Sequence, residues 1–151
     1  IEGLSNFQFM RQALNSLSTT DKLGTSLKKF KGLSAELGLS DEWDKKQLNV
    51  QASGGEKKKN ELIQLEMLNP QTAILDEPDS GLDIDAIKVL TRKLTDFANK
   101  EGKTLIIISH YAELITNLNP DTVTVFNKEG YAKQYDDVQV AYDILENGFN
   151  G

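Results

Sequence analysis

The sequence has 151 residues, 38% of them hydrophobic and 26% charged; that is long enough for one domain with a real core and too apolar for a disordered chain. A formal net charge of −6 argues against unspecific attraction to nucleic acid or to an anionic membrane. Cysteine is absent, which excludes disulfides and thiolate metal sites within the chain. No apolar run approaches the roughly 20 residues of a membrane span, so direct membrane insertion is not expected. The first residue is Ile1, so the native start is expected to be missing and targeting is unreadable.

Ser5 and Gln8 have the spacing of a capping box that opens a helix, and Phe7, Met10, Leu14 and Leu17 mark one face of it. At about 100° per residue, Phe9 falls on the flank of that face. Leu23, Leu27, Phe30 and Leu37 predict a second helix, weakened by Gly24 and Gly32 and ended by Gly38. Asp41 to Lys46 suggests one further helical turn around the only tryptophan, Trp43. To this point the chain reads as a helical layer without chemistry. It shows no internal repeat and no sustained heptad.

Ser53-Gly54-Gly55-Glu56 is a second capping box, opening a helix that carries Leu62, Ile63 and Leu65 to Leu68 and is closed by Asn69-Pro70. Two glycines at a helix start leave backbone N–H groups uncovered, and the helix dipole favours an anion there. Lys57, Lys58 and Lys59 strengthen the positive field. A plain cap is the simpler explanation of the same residues.

Ala73 to Leu75 shows no polar alternation and reads as a strand buried on both faces. Asp76 and Glu77 stand where it ends. Successive strand side chains point opposite ways, and ligands of open α/β sheets bind beyond the carboxyl ends of the strands. The pair therefore suits a water-mediated Mg²⁺ ligand, Asp76, beside a base that orients an attacking water, Glu77. Two surface acids ending a strand would look the same in isolation.

Ile87, Leu90, Leu94, Phe97 and Ala98 recur on one face of the next helix, with Gly102 just beyond it. Thr104 to Ser109 is a second apolar strand and runs into His110, the only histidine. Strand, helix, strand predicts a βαβ unit with a parallel sheet, which puts Glu77 and His110 at one sheet edge. A lone histidine is more often structural, but at that edge it could hydrogen-bond a γ-phosphate or the attacking water. Tyr111 to Leu118 reads as a short helix. Thr122 to Asn127 and Tyr131 to Tyr135 read as strands joined by a turn at Lys128-Glu129-Gly130, and Val138 to Leu145 as a final helix stopped by Gly148. Gly102-Lys103-Thr104 mimics the end of a phosphate-binding loop. The first glycine of that motif would fall on Phe97, and the tripeptide precedes a strand instead of following one, so it is not a P-loop.

Ser53 to Glu56, the Ala73 to Glu77 strand, Ser80-Gly81-Leu82-Asp83 and His110 resemble, in order and spacing, the signature motif, Walker B strand, D-loop and H-loop of the ABC-type ATPases. Four motifs in order are far more specific than any one. Asn49-Val50, the run Ser53 to Glu61, Ile74 to Glu77 and Asp79 to Asp85 are similar to the SufC-type ATPases of the Suf iron–sulfur cluster assembly system. The resemblance extends to the first helix through Asn6, Phe9 and Ala13 to Asn15.

It implies an α/β P-loop NTPase fragment, with a helical subdomain at residues 1–52 and the signature helix and C-terminal part of the core at 53–151. ATP and Mg²⁺ are the implied cofactors. Asp76 would hold the metal, Glu77 would be the general base and His110 would sense the γ-phosphate. Ser53, Gly54 and Gly55 would clasp the γ-phosphate of ATP on the opposite subunit of an ATP-dependent homodimer, and Ser80 and Asp83 would lie across that interface. Implied partners are Suf scaffold subunits resembling SufB and SufD, in a cytoplasmic or organelle-stroma location, with Phe9 beside the docking groove. Walker A and the Q-loop have no counterpart in the chain, which implies that it is inactive alone. Two other readings stand beside this one, a nucleotide-binding subunit of an ABC membrane transporter and the C-terminal lobe of an SMC/Rad50-like DNA-organising ATPase. The latter is disfavoured by the missing heptads and the acidic balance.

Overall fold

A computed structural model describes residues 3–17, 22–126, 130 and 132–147. Two helices come first, α1 (Asn6–Ser16) and α2 (Leu23–Glu36), followed by an irregular segment and α3 (Gly54–Leu68). Then β1 (Thr72–Asp76), α4 (Ile84–Ala98) and β2 (Thr104–Ile108) form the βαβ unit. Last come α5 (Ala112–Leu118), β3 (Val123–Phe126), β4 (Ala132–Tyr135) and α6 (Val138–Asn147).

Both capping boxes form as the sequence predicts. Ser5 and Ser53 each accept the backbone N–H three residues on, and the Gln8 and Glu56 side chains accept theirs in return. The first helix stops one residue short of Leu17, which is 57% exposed, so Leu17 does not belong to the inward face with Met10 and Leu14. Leu23 at the start of α2 is exposed too. The buried stripe of α2 runs instead through Ser26, Phe30, Leu33 and Ser34, with Gly38 at φ +68° reversing the chain after it. Asp41 to Lys46 forms successive turns, not helix, yet it buries Trp43. Asn69 ends α3 in the left-handed conformation.

Strands β1 and β2 pair in parallel, Thr72 opposite Thr104 through Asp76 opposite Ile108. This is the expected βαβ unit. Burial on both faces, however, does not hold. One face, with Ala73, Leu75, Leu105 and Ile107, packs on the core; the other leaves Ile74, Ile106 and Ile108 exposed, Ile74 at 66%. No element among the described residues covers that second face. Strands β3 and β4 form a separate antiparallel pair against α6. Lys128, Glu129, Tyr131 and Gly148, where a turn, a strand start and a helix stop are expected, lie outside the described residues.

A single core joins the helical layer to the sheet. Met10, Leu14, Phe30 and Trp43 meet Ile63, Met67, Ala73, Leu90, Leu94 and Phe97, and Phe7 stacks edge-on to Phe30 with ring centroids 5.6 Å apart. At the seam between layers, Lys93 of α4 is largely buried. Its amine lies 2.8 Å from Glu36 of α2 and 4.0 Å from Glu66 of α3, and Arg92 also pairs with Glu36. An amine buried as deeply as that of Lys93 stays charged only when paired.

Candidate active site at the ends of the parallel strands

The ladder between β1 and β2 continues one residue past Asp76, because the Glu77 N–H donates to the Ile108 carbonyl at 2.8 Å. Glu77 then turns the chain at φ +45°, a left-handed conformation unusual for a residue with a long side chain. Such strain costs on the order of 1–3 kcal/mol and persists only where the surroundings impose it. Here the surroundings are plain. Ser80 N–H donates to the Glu77 carbonyl and Leu82 N–H to that of Asp79. Asp79, 8% exposed, accepts from Ser109 Oγ at 3.0 Å, which ties the loop after β1 to the end of β2. Ser109 Oγ in turn accepts the Tyr111 N–H.

The consequence is a pair. His110 Nδ1 lies 3.3 Å from Glu77 Oε1, both side chains open to solvent. The sequence placed both at one sheet edge, and the structure brings them together. Asp76, also exposed, shares the strand end; its carbonyl oxygen accepts from Lys58 Nζ at 3.1 Å, so α3 reaches across to the sheet. Lys58 also lies 3.5 Å from Glu61.

A second cluster forms where α3 begins. The loop after β1 passes so close to α3 that an ideal Cβ on Gly55 would sit 2.9 Å from the Gly81 carbonyl oxygen. Gly81 itself takes φ +75°, so each glycine is required by geometry. Between the two segments runs a groove of about 380 Å³ lined by Ser53, Gly54, Gly55, Lys59, Leu82 and Asp83, among others. The start of α3 lines this groove together with Lys59. The Glu56 N–H there is capped by Ser53 Oγ and the Lys57 N–H donates to the Ser53 carbonyl, while the N–H groups of Gly54 and Gly55 precede the first intrahelical bond. Glu56 is held below the ordinary glutamate range by the Ser53 backbone N–H it accepts, with Ser53 Oγ and Lys46 adding to the effect against some desolvation. It therefore stays ionised and keeps the cap closed near neutral pH.

Of the residues singled out in the sequence, Ser53, Gly54, Gly55 and Asp83 line the groove, while Asp76, Glu77 and His110 gather at the strand ends. Ser80 lies in the connecting loop and is exposed. The Asp83 side chain caps α4, accepting the Ala86 N–H at 2.8 Å. Sequence reasoning named Lys58 only within a positive run, Asp79 only within a motif and Ser109 only as a strand end. It missed the Lys58–Asp76 and Ser109–Asp79 contacts and the Gly55–Gly81 approach. Only the two glycines carried a signal, since each sits where a side chain is conspicuously missing. Lys103 of the false phosphate loop spends its amine on the carbonyls of Asn69 and Pro70. Among the described residues no three or more His, Asp or Glu side chains gather to hold a metal unaided.

This is the α/β fold of an ABC-type P-loop NTPase, of which the chain presents the helical subdomain and the second half of the parallel-sheet core. Relatives in sequence are named as ABC transporter ATP-binding proteins or as ATP-dependent transporters. A probable ABC transporter ATP-binding protein of Streptococcus pyogenes serotype M3 is 38% identical over 162 aligned positions, 94% of this chain and 63% of the relative. The probable ATP-dependent transporter ycf16 of Pyropia yezoensis is 34% identical over 155 positions, 99% of this chain and 61% of its own length. Its counterpart in Cyanophora paradoxa is 36% identical over 157 positions, 96% and 60% respectively. The chain thus spans a little under two thirds of the curated relatives it matches. No protein-family profile matches it.

Proposed function

We propose that the chain is the C-terminal portion of an ATP-hydrolysing subunit in which Glu77 is the general base. The observation that carries this reading is the Glu77–His110 pair at 3.3 Å, held at the ends of adjacent parallel strands by a strained backbone. A carboxylate there can accept a proton from a water that attacks the γ-phosphorus, as the bond from that phosphorus to the β,γ-bridging oxygen breaks and ADP leaves. Glu77 Oε1 faces His110, which leaves Oε2 for the water; His110 fixes the carboxylate and reaches toward the γ-phosphate. Asp76 offers one carboxylate to Mg²⁺, which suits an ion that takes its remaining ligands from water and phosphate oxygens.

In this reading the Ser53, Gly54 and Gly55 backbone and Lys59 receive phosphate from a second subunit, with Ser80 and Asp83 at the joint, so that ATP closes a dimer. Residues 1–52 serve as the helical subdomain and 53–151 as part of the core. The chain contains no Walker A motif, whose lysine contacts the β- and γ-phosphates in P-loop enzymes; alone it neither binds ATP tightly nor hydrolyses it.

The partner is a Suf-type iron–sulfur scaffold in the cytoplasm or an organelle stroma. The resemblance of Asn49-Val50, Ser53 to Glu61 and Asp79 to Asp85 to SufC-type ATPases supports it, and the absence of cysteine fits a cluster carried elsewhere. A second reading, the nucleotide-binding subunit of a membrane transporter, is favoured by the names of the relatives. Copurification of the longer polypeptide that contains this chain separates the two. Recovery of soluble scaffold subunits supports the first, and recovery of a membrane protein the second. A full-length protein that fails to hydrolyse Mg-ATP, with or without partners, refutes both.

A further inference from the structure

Residues 41–48 cross from the end of α2 toward α3 without regular structure, yet they close a ring of buried hydrogen bonds. Asn6 Nδ2 donates to the Trp43 carbonyl at 3.0 Å, Trp43 Nε1 donates to Asn60 Oδ1 at 3.0 Å, and Asn60 Nδ2 donates to Asn6 Oδ1 at 3.3 Å. All three residues are at most 2% exposed. Each amide end therefore has one partner and no access to water, and opening the ring at any point strands a buried polar group.

The three residues come from three places: the first turn of α1, the crossing segment, and the middle of α3. Backbone bonds reinforce the first joint. Asn6 and Phe7 N–H donate to the carbonyls of Lys46 and Asp44, and Leu48 N–H donates to that of Leu4. The first two satisfy donors that the start of α1 leaves unpaired. At the other joint, the Lys46 amine lies 5.2 Å above the Trp43 ring and 3.7 Å from Glu56 Oε1. The second oxygen of that carboxylate accepts the Ser53 N–H at 2.9 Å. A continuous line of contacts thus runs from the start of α1 to the cap of α3.

We propose that this segment is a positioning strap: Trp43, Asn60 and Lys46 tie the start of α1 to the N-terminal end of α3, so that a displacement of α1 is passed to the Ser53–Gly55 backbone. Its importance for phosphate rests on the function proposed above, but the mechanical link does not. The far side of the same backbone is set by Gly81, so the strap is the side through which the groove can be adjusted. A strap and a ring that only stabilises the fold differ in what a distant cut does to the cap of α3.

Hydrogen exchange on the 151-residue chain, without nucleotide, separates the two. Asn6→Ala opens the ring at its α1 corner, and Lys46→Met cuts the Glu56 contact while leaving the core intact. The readout is the amides of Glu56 and Lys57, which donate to Ser53 Oγ and to the Ser53 carbonyl, compared with those of Leu90 and Leu94 in α4. Exchange at Glu56 and Lys57 should quicken on the order of tenfold in Asn6→Ala and by roughly two- to fivefold in Lys46→Met, with α4 unchanged. In the reverse direction, Ser53→Ala should shift the single indole N–H resonance of Trp43. Unchanged Glu56 and Lys57 amides, or equal acceleration throughout α4, would overturn the strap. If Asn6→Ala does not fold, the Lys46 and Ser53 variants decide the matter. Failure of ATP hydrolysis in the longer polypeptide would leave this result untouched, and the reverse is equally true.

Discussion

A methyl group is the smallest probe of how the loop after β1 sits on α3. Added at Gly55, it meets the Gly81 carbonyl oxygen at 2.9 Å, whereas ordinary contact begins at 3.4 Å; the loop must therefore retreat by about half an ångström. Retreat is resisted from both ends, by Asp79 anchored to Ser109 and by Asp83 capping α4. Overpacking against backbone of this kind costs about 1–3 kcal/mol. Gly54 is the internal control, since nothing lies within 4 Å of a Cβ built there. Gly54→Ala should be neutral or stabilising by about 0.4–1 kcal/mol, through a less flexible unfolded chain. Both variants share that gain, so the gap between them isolates the clash. At about 2–4 °C per kcal/mol for a chain of this size, a gap of 2 kcal/mol separates their melting temperatures by about 4–8 °C. Circular dichroism melts of the two variants side by side make the measurement. Equal melting temperatures would refute the close approach and with it the account of why Gly55 is glycine.

In the longer polypeptide, Glu77→Gln should lower ATP turnover by about 10²–10⁴ while sparing nucleotide binding, because the amide cannot take the proton of water; equal loss of binding and turnover in stopped-flow and calorimetric assays would make Glu77 structural. Glu36→Gln tests the seam. A hydrogen bond from Lys93 holds the Glu36 carboxyl below the usual glutamate range, with charge from Lys93 and Arg92 adding to it against some desolvation. A lowered folded-state pKa adds stability that is complete above the unfolded value and vanishes as pH falls through the folded one. The wild-type advantage over Glu36→Gln should then be about 0.2–1 kcal/mol at pH 7 and should close below about pH 4; a gap that widens in acid melts would contradict the pairing. Phe9, half-buried on the flank of α1, is the proposed scaffold contact: Phe9→Ala in the longer polypeptide should abolish scaffold pull-down without moving the melting temperature. A drop of several degrees with normal pull-down would make it core.

What the sequence made legible was local and repetitive. The two capping boxes, the parallel βαβ unit and the meeting of Glu77 with His110 follow from spacing and from the rule that strand ends gather ligands. Burial was harder to read. A run such as Ala73-Ile74-Leu75 implies a cover on both faces of its strand, but a pattern of apolar residues does not say whether the cover is among the residues at hand. Leu17 and Leu23 show the same gap at helix ends, where periodicity continues after the helix has stopped or before its face has turned inward. The contacts that set the groove were invisible for another reason. Lys58 reaching Asp76, Ser109 holding Asp79 and Gly81 lying on Gly55 each join segments distant in sequence, and no periodicity encodes such a meeting. Trp43 was noticed only as the lone tryptophan; its ring of amides needed three separate segments to be seen together.

The isoleucines left bare on β1 and β2 carry a consequence for anyone handling the chain by itself. A parallel pair of strands is normally covered on both faces and flanked by further strands. Here Ile74, Ile106 and Ile108 face water, and each strand has one edge without a partner strand among the described residues. Such a surface invites other copies through both apolar contact and backbone pairing. Attraction between apolar surfaces weakens on cooling. The chain should accordingly stay dispersed better in the cold room than on the bench, and turbidity on gentle warming, well below its melting temperature, would report the stickiness of one sheet face and not the loss of the fold.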